Sequence, residues 1–303
     1  MKLVQSFWSK PYINSAVDAA ETRLHGGWID KKYYYMSWAL SCLQLCRYYD
    51  HVELVTDRLG KKILIDTLEL PYTNVRLGLD DLNDYPADLW ALGKLYAYGL
   101  QNEPFLHVDS DLFIWEELRS DMTKSPLVAQ HLEKEYAFYK NLMEEVAPLN
   151  LHIPECIKAR HRIEPINAYN MGITGGHDLE FFRLYTIEAF KFINANKQNF
   201  SRMALGPFNT IFEQVLFYSL AQTHQKPVNL YTYTTGEHLV DDEMKGLERF
   251  RKTPPQSGLT HLYGSCKGMQ PFCDEVSYKL KKYHPASYEK IMDIVEAEAV
   301  LSF

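Results

Sequence analysis

The sequence predicts an α/β fold with a mixed, mostly parallel sheet flanked by helices, and three observations predict it. Short apolar runs alternate with longer segments of helical spacing through the first half of the chain, the pattern of strands joined by crossover helices. The 303 residues are 46% hydrophobic and 23% charged, a balance that buries a sizeable core and excludes a disordered or fibrous chain. No repeat, low-complexity tract or Gly/Ser-rich linker interrupts the chain, so a single domain over 1–303 is expected.

Taken in order, Leu3 to Trp8 reads as the first strand, and Tyr33 to Tyr49 as a helix with Leu40, Leu43 and Cys46 at helical spacing. Val52 to Val55 is the next strand, Leu59 to Leu68 a helix, and Asn74 to Leu77 a short strand. Asp84 can cap a further helix, Pro86 suits its first turn, and Leu89, Leu92 and Tyr96 form an apolar stripe that stops between Gly99 and Asn102. The run Pro104 to Val108 is a compact strand ending in Asp109-Ser110-Asp111. The stretch at about 115–165 reads as a helical insertion over one edge of the sheet. It holds a charged helix from about Leu127 to Val146, then a proline-punctuated basic stretch with Lys158, Arg160, His161 and Arg162. A strand through Ile166 to Thr174 follows, then helices at Leu179 to Asn194 and Asn209 to Thr223, and short strands at Val228 to Tyr231 and Leu259 to Tyr263. A helical extension at about 271–303 closes the chain, with helices at Asp274 to Tyr283 and Ala286 to Val300.

Composition narrows the function classes. The net charge is −7, so no surplus of Lys and Arg exists to neutralise phosphates, and a nucleic acid is not an expected partner. No apolar run approaches the roughly 18 residues of a transmembrane segment, and Met1 to Gln5 lacks a signal-peptide pattern. The five cysteines form no CxxC pair and no even framework. These features predict a reduced, cytoplasmic protein. The 21 tyrosines, including Tyr33-Tyr34-Tyr35, read mainly as amphipathic fillers of helix faces rather than a stacking surface.

Chemistry concentrates at two places. In Asp109-Ser110-Asp111 the i and i+2 side chains of an extended segment share a face, so both carboxylates can converge on one cation at a strand end. Such a pair arises about once by chance in a chain of this aspartate content, and its place at the end of an apolar strand gives it weight. Late in the chain, Thr260 to Lys267 delivers an imidazole at His261, a glycine at Gly264 that permits close backbone approach, and an ammonium at Lys267. Two carboxylates and an imidazole make an O,O,N set suited to Mn²⁺ or a similar divalent ion.

In order and spacing these motifs resemble the retaining glycosyltransferases of family 8, the glycogenin and lipopolysaccharide glycosyltransferase group. The matching pieces are Leu92-Gly93-Lys94-Leu95-Tyr96, Phe105 to Leu112 with its Asp-x-Asp, Tyr169-Asn170-Met171-Gly172-Ile173, and His261-x-x-Gly264-x-x-Lys267. Phe212-Glu213-Gln214 stands where the family has Asp-Gln, and Lys267-Gly268-Met269 where it continues Lys-Pro-Trp. The resemblance implies a GT-A fold and a UDP-sugar donor with Mn²⁺ or Mg²⁺ as cofactor. It further implies transfer of a hexose, with retention, to a saccharide, peptide or lipid-linked acceptor. It assigns Asp109, Asp111 and His261 to the metal, and Lys94, Asp109, Gly264 and Lys267 to the donor. Asn170, Gln214 and Glu213 fall at the reacting sugar. Two other readings fit the same residues. An apolar strand ending in Asp-x-Asp also opens haloacid-dehalogenase-type phosphatases, which would make Asp109 a nucleophile and recruit Asp241-Asp242 to Mg²⁺. A catalytically inactive nucleotide-sugar-binding protein would keep the same metal site.

Overall fold

A computed structural model describes residues 1–13, 24–232, 243–254 and 258–301. Its strands are β1 (Lys2–Phe7), β2 (Val52–Thr56), β3 (Asn74–Leu77), β4 (Phe105–Val108), β5 (Leu112–Ile114), β6 (Leu127–Ala129), β7 (His131–Glu133), β8 (Ala168–Asn170), β9 (Ile173–Gly176), β10 (Val228–Leu230) and β11 (Leu259–His261). The helices needed below are α1 (Lys31–Tyr48), α2 (Leu92–Gly99), α3 (Ala137–Val146), α4 (Leu179–Ala195), α5 (Leu216–Thr223), α6 (Gln270–Tyr283) and α7 (Pro285–Leu301). The class is α/β, with a mixed, mostly parallel seven-stranded sheet flanked by helices. No described helix is long and apolar enough to cross a membrane. The chain divides into two compact units.

The first unit comprises Lys2–Ala87, Val108–Leu118 and Asp242–Phe303. Strands β1, β2 and β3 run parallel in that order, with Leu3 opposite Val52 and Glu53 opposite Asn74. Every residue of β2 is buried, which is why it reads as a near-continuous apolar run. Its one acid, Glu53, is satisfied by Lys2 Nζ at 2.9 Å and Asn74 Nδ2 at 3.1 Å. Helix α1 starts where the Asp30 carboxylate accepts the Lys32 N–H at 2.8 Å. It is apolar nearly all round and is buried accordingly. Phe7, Tyr34 and Trp38 pack ring against ring in this core, and α6 and α7 pack on α1. Tyr33, Tyr34 and Tyr35 are thus all buried, as filling of this helix face requires. Strand β5 pairs antiparallel with β11, setting His261 opposite Leu112.

The second unit comprises Asp88–His107 and Arg119–Asp241, together with Met1. Its strands are ordered β10-β6-β9-β4, with β10 parallel and β9 antiparallel to β6. Gly175 and Gly176 have φ of 152° and 135°, and a Cβ on either would fall 2.1 Å from a carbonyl oxygen, that of Phe105 or Pro126. Only glycine fits this close backbone approach. Helices α2 and α4 pack together, and Tyr98, Phe105, Phe182, Tyr185 and Phe217 form an aromatic core.

Three expectations are corrected here. The helix expected from Asp84 begins only at Leu92. Lys10 Nζ bonds the carbonyls of Asn83 and Tyr85, while the Asn209 side chain bonds the Asp88 carbonyl and the Ala91 N–H. The backbone groups that an upstream helical turn needs are thereby taken. The charged helix expected over 127–146 is instead β6, β7 and the shorter α3, so the stretch read as an insertion supplies a strand between β9 and β10. The strand expected over 166–174 splits into β8 and β9, because the Asn170 side chain accepts the Gly172 N–H at 3.1 Å and turns the chain.

Candidate metal centre

The turn Asp109–Asp111 leaves the end of β4 and is held from α1. Ser37 Oγ donates to the Ser110 carbonyl at 2.8 Å, and Ser41 Oγ donates to that of Leu112 at 2.7 Å. These serines are four residues apart, so they share one helix face. Ser41 in turn accepts from Gln5 Nε2 at 3.0 Å, and Gln5 Oε1 accepts from the Tyr72 hydroxyl at 2.7 Å. A buried polar relay therefore fixes the backbone that carries both aspartates.

The pairing of β5 with β11 brings in residues about 150 positions later in the chain. Leu262 N–H donates to the Asp111 carbonyl at 2.9 Å, and Trp115 Nε1 to Thr260 Oγ1 at 3.0 Å. His261 Nε2 lies 3.3 Å from Asp111 Oδ1, and the Lys267 ammonium pairs with Asp111 Oδ2. Lys267 also donates to the Gly26 carbonyl at 3.3 Å. Gly264 turns the chain between them at φ 64°, in the left-handed region. Burial alone would raise the Asp111 carboxyl, but the Lys267 ammonium and the His261 imidazole outweigh it and hold the group well below the ordinary carboxylate range.

Asp109, Asp111 and His261 each offer one donor atom, and these atoms lie within 4.8 Å of one another. Two carboxylates, of which Asp111 is kept ionised by its neighbours, and one imidazole fit a hard or borderline divalent cation, Mn²⁺ better than Mg²⁺ because of the nitrogen. The phosphatase alternative needs Asp111 as a proton-donating acid, and an aspartate held ionised by Lys267 is poorly suited to that task. Asp241-Asp242, which that reading would recruit, lie outside the described residues.

The other sequence-predicted site residues form a second, buried cluster within the second unit. Lys94 on α2 pairs with Glu213 Oε1 at 2.5 Å and donates to the Met171 carbonyl at 3.3 Å. Glu213 and Gln214 lie on a π-helical turn, Ile211–Val215, a local irregularity frequent at functional sites. Asn170 Nδ2 donates to Glu133 Oε1 at 3.3 Å. The Tyr139 hydroxyl sits between the Glu133 carboxylate and the Gln214 side-chain amide, in hydrogen-bond contact with both. Burial would raise Glu133, but contacts from His131, Tyr139 and Asn170 bring it below the usual glutamate value. Burial and the Glu133 charge push the Tyr139 hydroxyl well up.

The sequence reading missed Gln5, Ser37, Ser41, His131, Glu133 and Tyr139. The i, i+4 serines in an otherwise apolar helix were a readable signal. His131 and Glu133 alternate on a strand that had been expected as helix, so their shared face went unseen. The basic residues at 158–162 are met by acids: Lys158 and Arg162 pair with Glu155, and Arg160 with Glu164. Lys279 is buried, bonded to the Thr253 carbonyl at 2.7 Å, and presents no charge at the surface. The described cysteines are all free thiols.

Among solved structures, the chain is similar to the galactosyltransferase LgtC in complex with donor and acceptor sugar analogues. Identity is 10% over 92% of this chain and 96% of that chain, with a TM-score of 0.45. No curated protein matches the sequence. Residues 1–294 match a family described as a family of unknown function, DUF6734, and the chain belongs to that family.

Proposed function

We propose that the protein is a metal-dependent glycosyltransferase that moves a hexose from a UDP-sugar to a saccharide, peptide or lipid-linked acceptor, with retention. The observation that carries the reading is the convergence of Asp109, Asp111 and His261 within 4.8 Å, with Lys267 on the same carboxylate. The combination of motifs and the family resemblance it carries single out the same four residues. Held by the two aspartates and His261, a divalent cation would supply positive charge to the diphosphate of the donor. Lys267, a compact ammonium with three donors, is suited to the charge that builds on the β-phosphate as the anomeric C–O bond breaks. Gly264 adds backbone beside it without side-chain bulk. The departing phosphate oxygen then takes the acceptor proton on the same sugar face, which retains configuration without a separate base.

For Lys94, Asn170 and Gln214 we keep the donor role that the family resemblance implies. Glu213, fully buried against Lys94, is better suited to a charge partner of that lysine than to a nucleophile. Thermal shift with UDP, UDP-glucose, UDP-galactose and non-uridine nucleotides, each with and without Mn²⁺, tests the reading, since a ligand at about 100 times its Kd stabilises by about 2.7 kcal/mol. His261→Ala should abolish the Mn²⁺-dependent UDP shift while keeping the native circular dichroism. An unchanged Mn²⁺-dependent UDP affinity in that variant overturns the metal assignment. Slow Mn²⁺-dependent hydrolysis of the donor separates an enzyme from a binding module.

A further inference from the structure

The second unit also holds a half-open cavity of about 780 Å³, within the range of small-molecule sites. Helix α3 builds one wall through its periodicity. Tyr139, Leu142 and Val146 are its buried residues, and Tyr136 at its start with Lys140, Met143, Glu144 and Val146 line the cavity. The rest of the lining is mostly apolar, with Leu151, Ile153, Pro165 and Ile166 beside His161. Residues at both ends of α3 that line the cavity, Glu135 and Asn150, adopt left-handed backbone with φ of 54° and 50°. Left-handed non-glycine backbone concentrates at ligand clamps and functional loops.

The charged lining residues fix the kind of ligand. Lys140 faces Glu144 at 3.9 Å, and Glu135 faces Lys134 at 3.8 Å, so the charges around the cavity are paired. Paired charges suit a neutral polar head, and the apolar lining residues suit an apolar body. Orientation follows from Tyr136. Its ring meets that of Tyr139 edge-on at 5.9 Å, and the Tyr139 hydroxyl reaches Glu133 and Gln214. The Tyr136 end of the cavity therefore adjoins the polar cluster.

We propose that this cavity holds the apolar tail of an amphiphilic acceptor, a neutral glycoside or polyol carried on an alkyl or aryl group. The acceptor role rests on the glycosyltransferase reading; the binding chemistry does not. Isothermal titration with methyl, hexyl and octyl β-D-glucoside, below their micellar concentrations and without nucleotide or metal, tests it. Affinity should rise about fourfold per added methylene. An octyl sulfate control should bind no tighter than the octyl glucoside. Met143→Trp, which narrows the cavity, and Ile153→Asp, which charges it, should each flatten the chain-length dependence with melting temperature preserved. Equal affinity for methyl and octyl glucoside, tighter binding of the sulfate, or undiminished octyl binding in the folded Met143→Trp protein overturns the proposal. Turnover of a UDP-sugar with a flat chain-length series overturns the cavity assignment and leaves the glycosyltransferase reading standing. Chain-length-dependent binding without any response to UDP-sugar and Mn²⁺ does the reverse.

Discussion

Lys267→Ala separates the counter-ion task of that lysine at Asp111 from the diphosphate contact that the proposed function assigns to it. Asp111 has a side chain 9% exposed, and its neighbours are the Lys267 ammonium and the His261 imidazole. Removing one partner of a buried pair costs about 3–5 kcal/mol. Lys267 is 20% exposed, so water offsets part of this loss, and about 2–3 kcal/mol is expected. For a chain of 303 residues that corresponds to a fall of about 3–5 °C in Tm. The consequence for metal is opposite in sign. In the wild-type protein a cation competes with the Lys267 ammonium for Asp111, and in the variant nothing competes. Mn²⁺ should therefore raise the Tm of Lys267→Ala by more than it raises the wild type, recovering most of the loss. Lys267→Arg, which keeps the charge, should behave as wild type in both respects. The assay is thermal unfolding by circular dichroism in EDTA, then along a Mn²⁺ titration. An unchanged Tm in EDTA, or equal Mn²⁺ shifts in the two proteins, refutes the reasoning.

Ser41→Ala leaves the Leu112 carbonyl without its side-chain donor, so a loss of about 1–3 kcal/mol in urea unfolding is expected, with weaker Mn²⁺ binding as the Asp109–Asp111 turn loosens. Unaltered Mn²⁺ affinity would remove the positioning role. Burial and the nearby Lys94 charge hold His107 well below the ordinary imidazole value. The folded state thus keeps it neutral while the unfolded chain protonates below about pH 6.5, so its contribution is complete above that pH and declines by about 1.4 kcal/mol per unit below it. His107→Gln should lack this decline, and the stability gap between variant and wild type should narrow between pH 7 and pH 5; a constant gap refutes the assignment. The double variant Lys94→Met with Glu213→Leu should match or exceed wild-type stability while donor hydrolysis is lost, and retained hydrolysis would remove both residues from the chemistry.

Much of the strand framework was legible because the strands are buried on both faces. Lys2–Phe7, Val52–Thr56 and Phe105–Val108 then appear as compact apolar runs bounded by polar turns. The failures came where distant partners decide local structure. Leu127-Val128-Ala129 has no strong strand propensity and sits near charged residues at helical spacing. It is a strand because Val128 pairs with Gly175 and Leu127 with Val228, contacts that no local window contains. Asp84 and Pro86 are sound helix-start signals, yet Lys10 and Asn209 hold the following backbone in turns. Capping residues offer a helix start, and tertiary hydrogen bonds decide whether it is taken.

The candidate site divides in the same way. Asp109, Asp111, His261, Gly264 and Lys267 were legible because each belongs to a short motif whose spacing is itself the geometry. His131 and Glu133 share the i, i+2 spacing of Asp109 and Asp111 but lie in a stretch with a helical pattern, and with Tyr139 they meet Asn170 and Gln214 only through the fold. Their burial calls for a physical reason. A carboxylate, a phenol, two amides and an imidazole placed in an otherwise apolar interior are a poor way to gain stability, since well-packed apolar side chains of similar volume serve as well or better. The same holds for Lys94 and Glu213, an ion pair beside the fully buried Tyr185. Structural polar networks also occur in cores, where they fix a unique packing, so the distinction must come from what the network touches. This one touches the wall of an open cavity through Tyr136, whereas a network that only fixes packing has no reason to adjoin a space large enough for a ligand.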